Sequence, residues 1–211
     1  MQIDLYYDLL SPFAHVVLYR LDELPGDVEI VPKPVLLGGL LKQYGQLGPA
    51  EIPVKRDHTY RIACHLAERY GAPIRFPRRH PFNPLAALRM LAGANADMDT
   101  VKAAFACVFV EGHPTDDDEG MAAFERMTGL DRSLADDEHA KVALRANTDE
   151  ATARGVFGVP TFVPHVDGKP GPTFWGVDGF DMLRTWLAEP AMFERAPYVG
   201  LAEVEYGIRR R

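Results

Sequence analysis

Apolar and polar positions alternate at the start of the chain. Ile3, Leu5 and Tyr7 fall between Gln2, Asp4 and Tyr6, the period of two that predicts a strand. Ser11-Pro12 interrupts it, and Phe13, Val16, Val17, Leu21 and Leu24 then recur at helical spacing until Pro25-Gly26 stops the helix. Val28 to Val31 reads as a second short strand, closed by Pro32 and Pro34. A strand-helix-strand unit this compact calls for a parallel pair joined by a crossover helix.

From about Leu36 to Arg154 the strand signal vanishes. Lys55 to Tyr70 reads as a helix ended by Gly71 and Pro73, and Asn83-Pro84 opens another, with Asn83 as cap and Pro84 at the first helical position. Asp99 is expected to cap a helix that gathers Val101, Ala104, Phe105, Val108 and Phe109 on one face. Asp136 to Arg154 forms a long helix with Ala140, Leu144, Asn147 and Ala151 along one stripe and Gly155 as terminator. After Gly155 strands return. Val159 to Val163 is one, Asp167-Gly168 a hairpin turn, Thr173 to Trp175 another, and Phe180, Leu183, Trp186 and Leu187 mark a closing helix. This order predicts an α/β, thioredoxin-like fold with a large all-helical insertion between its two halves. Residues 1–35 and 155–211 form the thioredoxin-like domain, and 36–154 the insertion.

With 211 residues, 47% of them hydrophobic and 25% charged, the chain can bury a full core, which excludes disorder as its main state. The formal net charge of -7 argues against nucleic acid as a partner, and the Arg209-Arg210-Arg211 tail reads as a solvated terminus. No apolar run is long enough for a membrane span, and the first residues lack a basic stretch followed by an apolar one. The expected location is therefore the cytoplasm, with no signal peptide. Cys64 and Cys107 lie too far apart for a redox motif or zinc-ligand spacing. No metal is expected. His58 and His65 share a helix face without a third ligand, and Asp116 to Glu119 reads as negative charge at a helix start rather than as a site with His113.

The chemistry concentrates in one turn. Ser11 sits at an N-cap and Pro12 at the first helical position, where unpaired N–H groups and roughly half a positive charge from the helix dipole favour an anion such as a thiolate. A serine hydroxyl donating to that thiolate stabilises it by about 1.5–3 kcal/mol, which lowers the thiol pKa by roughly one to two units. Taken alone, the Ser11-Pro12 pair reads first as a plain helix cap; its place directly after the first strand of a thioredoxin-like order is what brings the chemistry forward. Because Ser11, Pro12, Phe13 and Ala14 include no cysteine, dithiol exchange is excluded and the sulfur must come from outside. Val159-Pro160 admits two readings, a trans proline opening an edge strand or a cis bond presenting the Val159 backbone to a peptide. Asp178 either caps the last helix or grips a ligand ammonium.

Three segments resemble the 2-hydroxychromene-2-carboxylate isomerase family: Tyr7-Asp8-Leu9-Leu10-Ser11-Pro12-Phe13, Gly155-Val156-Phe157-Gly158-Val159-Pro160-Thr161 and Trp175-Gly176-Val177-Asp178. That family is similar to kappa-class glutathione transferases and to DsbA-type proteins. The resemblance implies a dimeric, glutathione-dependent enzyme of bacterial aromatic catabolism that acts on a small aromatic substrate. It implies that Ser11 contacts the glutathione sulfur, that Val159 with Pro160 pairs with the tripeptide backbone, and that Gly176, Val177 and Asp178 hold the γ-glutamyl end. Lys42, Asn83 and Phe13 would line the substrate side, with Lys42 receiving a carboxylate if it is more than a solvated surface lysine. The reaction implied is reversible addition of a thiolate to an enone, so that a double bond can rotate as a single one. This sequence departs from the family pattern at Gly179, His58, Ile62 and Glu51, which bears on the substrate more than on glutathione. A kappa-type transferase or peroxidase, or a non-catalytic binding module, would use the same turn.

Overall fold

The computed structural model describes residues 1–205 and Gly207. Arg209, Arg210 and Arg211 lie outside the described residues.

Strand β1 (Gln2–Tyr7) occupies the middle of a mixed sheet and is buried from Ile3 onward. It runs parallel to β2 (Glu29–Pro34), with Ile3 opposite Ile30 and Tyr7 opposite Pro34, and antiparallel to β3 (Thr161–Val166), with Ile3 opposite Pro164 and Tyr6 opposite Thr161. The sheet order is β2-β1-β3-β4, where β4 is Lys169–Pro170, and β5 (Phe174–Trp175) also pairs with β3. The predicted parallel pair and its crossover helix are both present.

Eight α-helices accompany the sheet among the described residues. α1 (Pro12–Leu18) makes the first crossover and α8 (Gly176–Ala188) closes the fold. Between β2 and β3 lie α2 (Leu37–Gln43), α3 (Pro53–Arg69), α4 (Leu85–Gly93), α5 (Met98–Phe109), α6 (Asp118–Thr128) and α7 (Glu138–Ala153). This is the expected helical insertion in a thioredoxin-like fold.

The period of two in β1 separates two cores, not a core from solvent. Ile3, Leu5 and Tyr7 join the larger cluster with Val16, Val17, Phe105, Phe109, Phe162 and Phe180. Tyr6 faces the other way, into a smaller cluster with Val35, Leu40, Ala151, Val156, Val159 and Val163. Asp4 is also fully buried, which it tolerates because Arg154 and His165 bond its carboxylate and Lys33 stands 3.6 Å away.

Several boundaries differ from the sequence reading. Pro32 and Pro34 lie inside β2, because an edge strand has one side on which a missing N–H goes unused. α1 ends at Leu18, and Leu21 belongs to a separate 3-10 turn, Leu21–Glu23. Asp97 caps α5 by accepting from Thr100, so Asp99 falls in its first turn. Pro84 takes the cap position of α4, while the Asn83 side chain accepts the Leu85 N–H at 3.1 Å. Asp137 is the cap of α7, whose end is followed by Gly155 at φ 74°. The Asp167-Gly168 turn leads into the short β4, and both residues take the positive φ that such a turn demands. Asp117 caps α6 with Asp118 and Glu119 in its first turn, as the acidic run suggested.

Candidate active site

The first part of the site is the turn after β1. Asp8, wholly inaccessible to solvent, accepts the Leu10 N–H on one carboxylate oxygen at 2.9 Å, and its carbonyl accepts the Ser11 N–H at 3.0 Å. Those bonds fold the chain back so that Ser11 begins α1. The Ser11 Oγ accepts the Ala14 N–H at 3.1 Å and donates to the Val159 carbonyl at 3.2 Å. The residue is 4% exposed. It is a cap, and it is also tied to a segment far along the chain.

That segment is the second part. Val159–Pro160 is cis, and the ladder of β3 begins only at Thr161, later than the sequence pattern suggested. The Val159 N–H donates to none of the described residues. The third part reaches the same spot, since the Gly176 N–H donates to the Pro160 carbonyl at 2.9 Å. Gly176 has φ 85°, a conformation glycine adopts without strain. Gly158 lets the Trp175 indole lie close against the backbone, for a Cβ there would stand 2.6 Å from the indole nitrogen. Phe157 and Trp175 pack with ring centroids 5.0 Å apart and form a partly exposed aromatic wall beside Val159.

A family model described as a DSBA-like thioredoxin domain matches residues 2–188. The chain belongs to the DSBA-like thioredoxin family. It is 28% identical to 2-hydroxychromene-2-carboxylate isomerase of Pseudomonas putida over 194 residues, covering 88% of this chain and 93% of that protein. It is 25% identical to glutathione S-transferase kappa 1 of Rattus norvegicus over 210 residues, covering 90% and 92%. A solved structure of 2-hydroxychromene-2-carboxylate isomerase superposes with a TM-score of 0.73 at 27% identity, covering 90% of this chain and 96% of that one. The likeness carried by the three segments is thereby borne out.

Within this DSBA-like chain the fold brings Ser11, Val159, Pro160 and Gly176 together. Val177 follows Gly176 but is buried in the larger core, and its carbonyl lies 3.5 Å from an Arg20 nitrogen. Asp178 is exposed in the first turn of α8 and is not its cap. Trp175 holds that position without a side-chain bond, because the helix begins at Gly176. Phe13 is half-buried against the larger core, one position past Pro12. Lys42 is exposed in the last turn of α2. Asn83 is exposed and lines a cavity of about 420 Å³ with Thr115, Asp116 and Arg132, whose lining does not include the serine turn.

Two residues that the sequence reading did not single out belong to the site. Asp8 is one; burial pushes its carboxyl up to about 6 despite bonds from the Leu10 and Leu37 amides. His80 is the other. Its Nε2 lies 2.8 Å from the Leu10 carbonyl and its Nδ1 2.8 Å from the Tyr60 hydroxyl, and burial lowers its pKa. A carboxylate just past a strand end was a signal for Asp8, whereas His80 sits in an irregular segment with no periodicity to mark it. Neither cysteine belongs to the turn. Burial raises Cys107 to about 11, which leaves it an unreactive thiol. Among the described residues no three side chains gather as a metal site.

Proposed function

We propose that this protein is a glutathione-dependent cis-trans isomerase of the 2-hydroxychromene-2-carboxylate isomerase type, acting on an aromatic enone. The observation that carries the reading is the meeting of a buried serine hydroxyl with the Val159 backbone, in a turn that contains no cysteine of its own. The chain's groups suit the tripeptide. The Val159 N–H, without a partner among the described residues, can meet a ligand carbonyl, the Ser11 hydroxyl can turn from a carbonyl to a sulfur, and the exposed Asp178 carboxylate can meet an ammonium. Bound glutathione supplies a thiolate able to add reversibly to an enone and leave again unconsumed.

The protein's own work is then positioning and charge. Ser11 donates to the sulfur and favours its ionised form, while its oxygen keeps the Ala14 N–H. Phe157 and Trp175 supply an apolar face for the aromatic substrate, and the exposed Lys42 is the cation we propose for its carboxylate. The similarity to a glutathione S-transferase supports a glutathione site, and that to 2-hydroxychromene-2-carboxylate isomerase supports an isomerisation at it. A homodimer working in the cytoplasm completes the proposal.

Ultraviolet titration of the thiolate with and without protein tests the cofactor, and chromatography of a cis enone acid tests the reaction. Expected are a lowered thiol pKa and conversion to the trans isomer with glutathione undiminished. Glutathione consumption with an aryl halide or hydroperoxide would make the protein a kappa-type transferase or peroxidase instead. Binding without turnover of either would leave a module.

A further inference from the structure

The second oxygen of the Asp8 carboxylate accepts the Leu37 N–H at 2.8 Å, and Leu37 is the first residue of α2. One buried side chain therefore fastens two separate backbone segments, the turn that carries Ser11 and the start of the helix that carries Lys42. Among the described residues no other hydrogen bond joins the Ser11 turn to the start of α2. The neighbouring Leu36 N–H goes to Thr148 of α7 at 3.1 Å and the Val35 N–H to the Tyr7 carbonyl at 2.9 Å, so neither touches the serine turn. We propose that Asp8 is a positioning residue whose carboxylate clamps the Ser11 turn to the N-terminus of α2 and holds the thiol-binding and substrate-binding sides of the site at a fixed separation.

This deepens the glutathione reading and rests on it for the meaning of the two sides, but the clamp itself is a property of the chain. An ionised carboxylate has lone pairs for both amides, whereas a protonated one turns a donor toward one of them. The clamp therefore loosens on protonation, and the raised pKa of Asp8 brings that change near pH 6. The groups around it do not compensate. Among the described residues no basic side chain bonds to Asp8. The titratable groups facing the turn are the buried Tyr7 hydroxyl, whose pKa burial and the Asp8 charge raise, and His80, whose Nε2 meets the Leu10 carbonyl and whose pKa burial lowers; α7 offers the neutral Thr148 and Asn147 to this region, and Glu150 with Lys33 is engaged at Asp4 and Tyr6.

The test is an amide NMR titration of the whole chain between pH 4 and 8. The Leu10 and Leu37 N–H signals are expected to move together with one midpoint near 6 in wild type and to stay flat in Asp8→Asn. Independent midpoints, or no movement, would overturn the clamp whether or not glutathione binds. If Asp8→Asn fails to fold, the wild-type titration alone decides. If it folds, kcat is expected to fall about tenfold with the KM for glutathione changing less than about threefold, as misplacement of reacting groups does. A wild-type kcat in a folded Asp8→Asn would overturn the positioning role, and a wild type that does not bind glutathione would remove the reading while leaving the amide result to judge the clamp.

Discussion

Ser11 gives its hydroxyl proton to the carbonyl of Val159, a residue beyond the whole helical insertion, while its oxygen takes the Ala14 N–H. A hydroxyl has a single proton. A thiolate that receives it must take it from Val159, so the serine is an exchangeable donor already aimed at the peptide edge.

Removing that donor has two separable effects. Ser11→Ala loses the cap of α1, which lowers stability by about 1 kcal/mol in denaturant unfolding. It also raises the pKa of bound glutathione by roughly one to two units and cuts activity near neutrality by about 10- to 100-fold. An unchanged thiolate titration in the variant would take Ser11 out of the mechanism.

Gly158→Ala separates site from scaffold. Its Cβ meets the Trp175 indole at 2.6 Å, but Trp175 is 48% exposed and can swing outward. Stability should drop by no more than about 1–2 kcal/mol, while the KM for glutathione rises several-fold as the Phe157 contact opens. Gly120→Ala is the contrast, since its Cβ would stand 1.7 Å from the Pro114 carbonyl oxygen, a backbone atom. That variant is expected to lose about 3 kcal/mol or more, with thermal unfolding as the measure.

Asp4 governs acid stability. Burial alone would raise its pKa, but hydrogen bonds from His165, Arg154 and Gln2 and the charge of Lys33 outweigh burial and hold it below 3.8. Its contribution is therefore present above about pH 4 and disappears as pH falls through its depressed value. Asp4→Asn should cost about 3–5 kcal/mol at neutral pH, because it leaves buried positive groups unmatched, and should flatten the acid limb of a stability-versus-pH curve.

Asp8 behaves in the opposite sense. Its native pKa near 6 exceeds its unfolded value, so the folded chain holds this proton more tightly than the unfolded one. Its favourable contribution is complete below about pH 4 and is lost as pH rises through about 6. The stability of wild type minus that of Asp8→Asn should accordingly decline by a few kcal/mol across that window. A difference that rises or stays level would refute the assigned direction.

The strand-helix-strand opening and the return of strands after Gly155 were legible because burial imposes a period on Ile3, Leu5 and Tyr7 and glycine stops α7. The two-sided burial of β1 was not, since Asp4 and Tyr6 look like surface residues until Arg154 and Glu150 are known to face them. The cap expected at Asp99 falls at Asp97, and the helix expected from Asp136 starts at Glu138 after Asp137 as its cap, because neighbouring aspartates compete for one role. Ser11 and Val159-Pro160 could be picked out because a helix start and a glycine-proline break announce themselves locally, whereas Gly176 came only with the family resemblance. The Asp8 bond to Leu37 joins segments that only the folded sheet brings side by side, and no local pattern encodes it.

Residue 3 of β1 pairs with residue 164, so one margin of the central strand waits for a partner encoded well over a hundred residues further along the chain. During synthesis that margin of unsatisfied amides and carbonyls emerges early and stays open while the intervening helices are made. Chaperone dependence, and aggregation of prematurely terminated chains, should track this wait more closely than they track any single side chain.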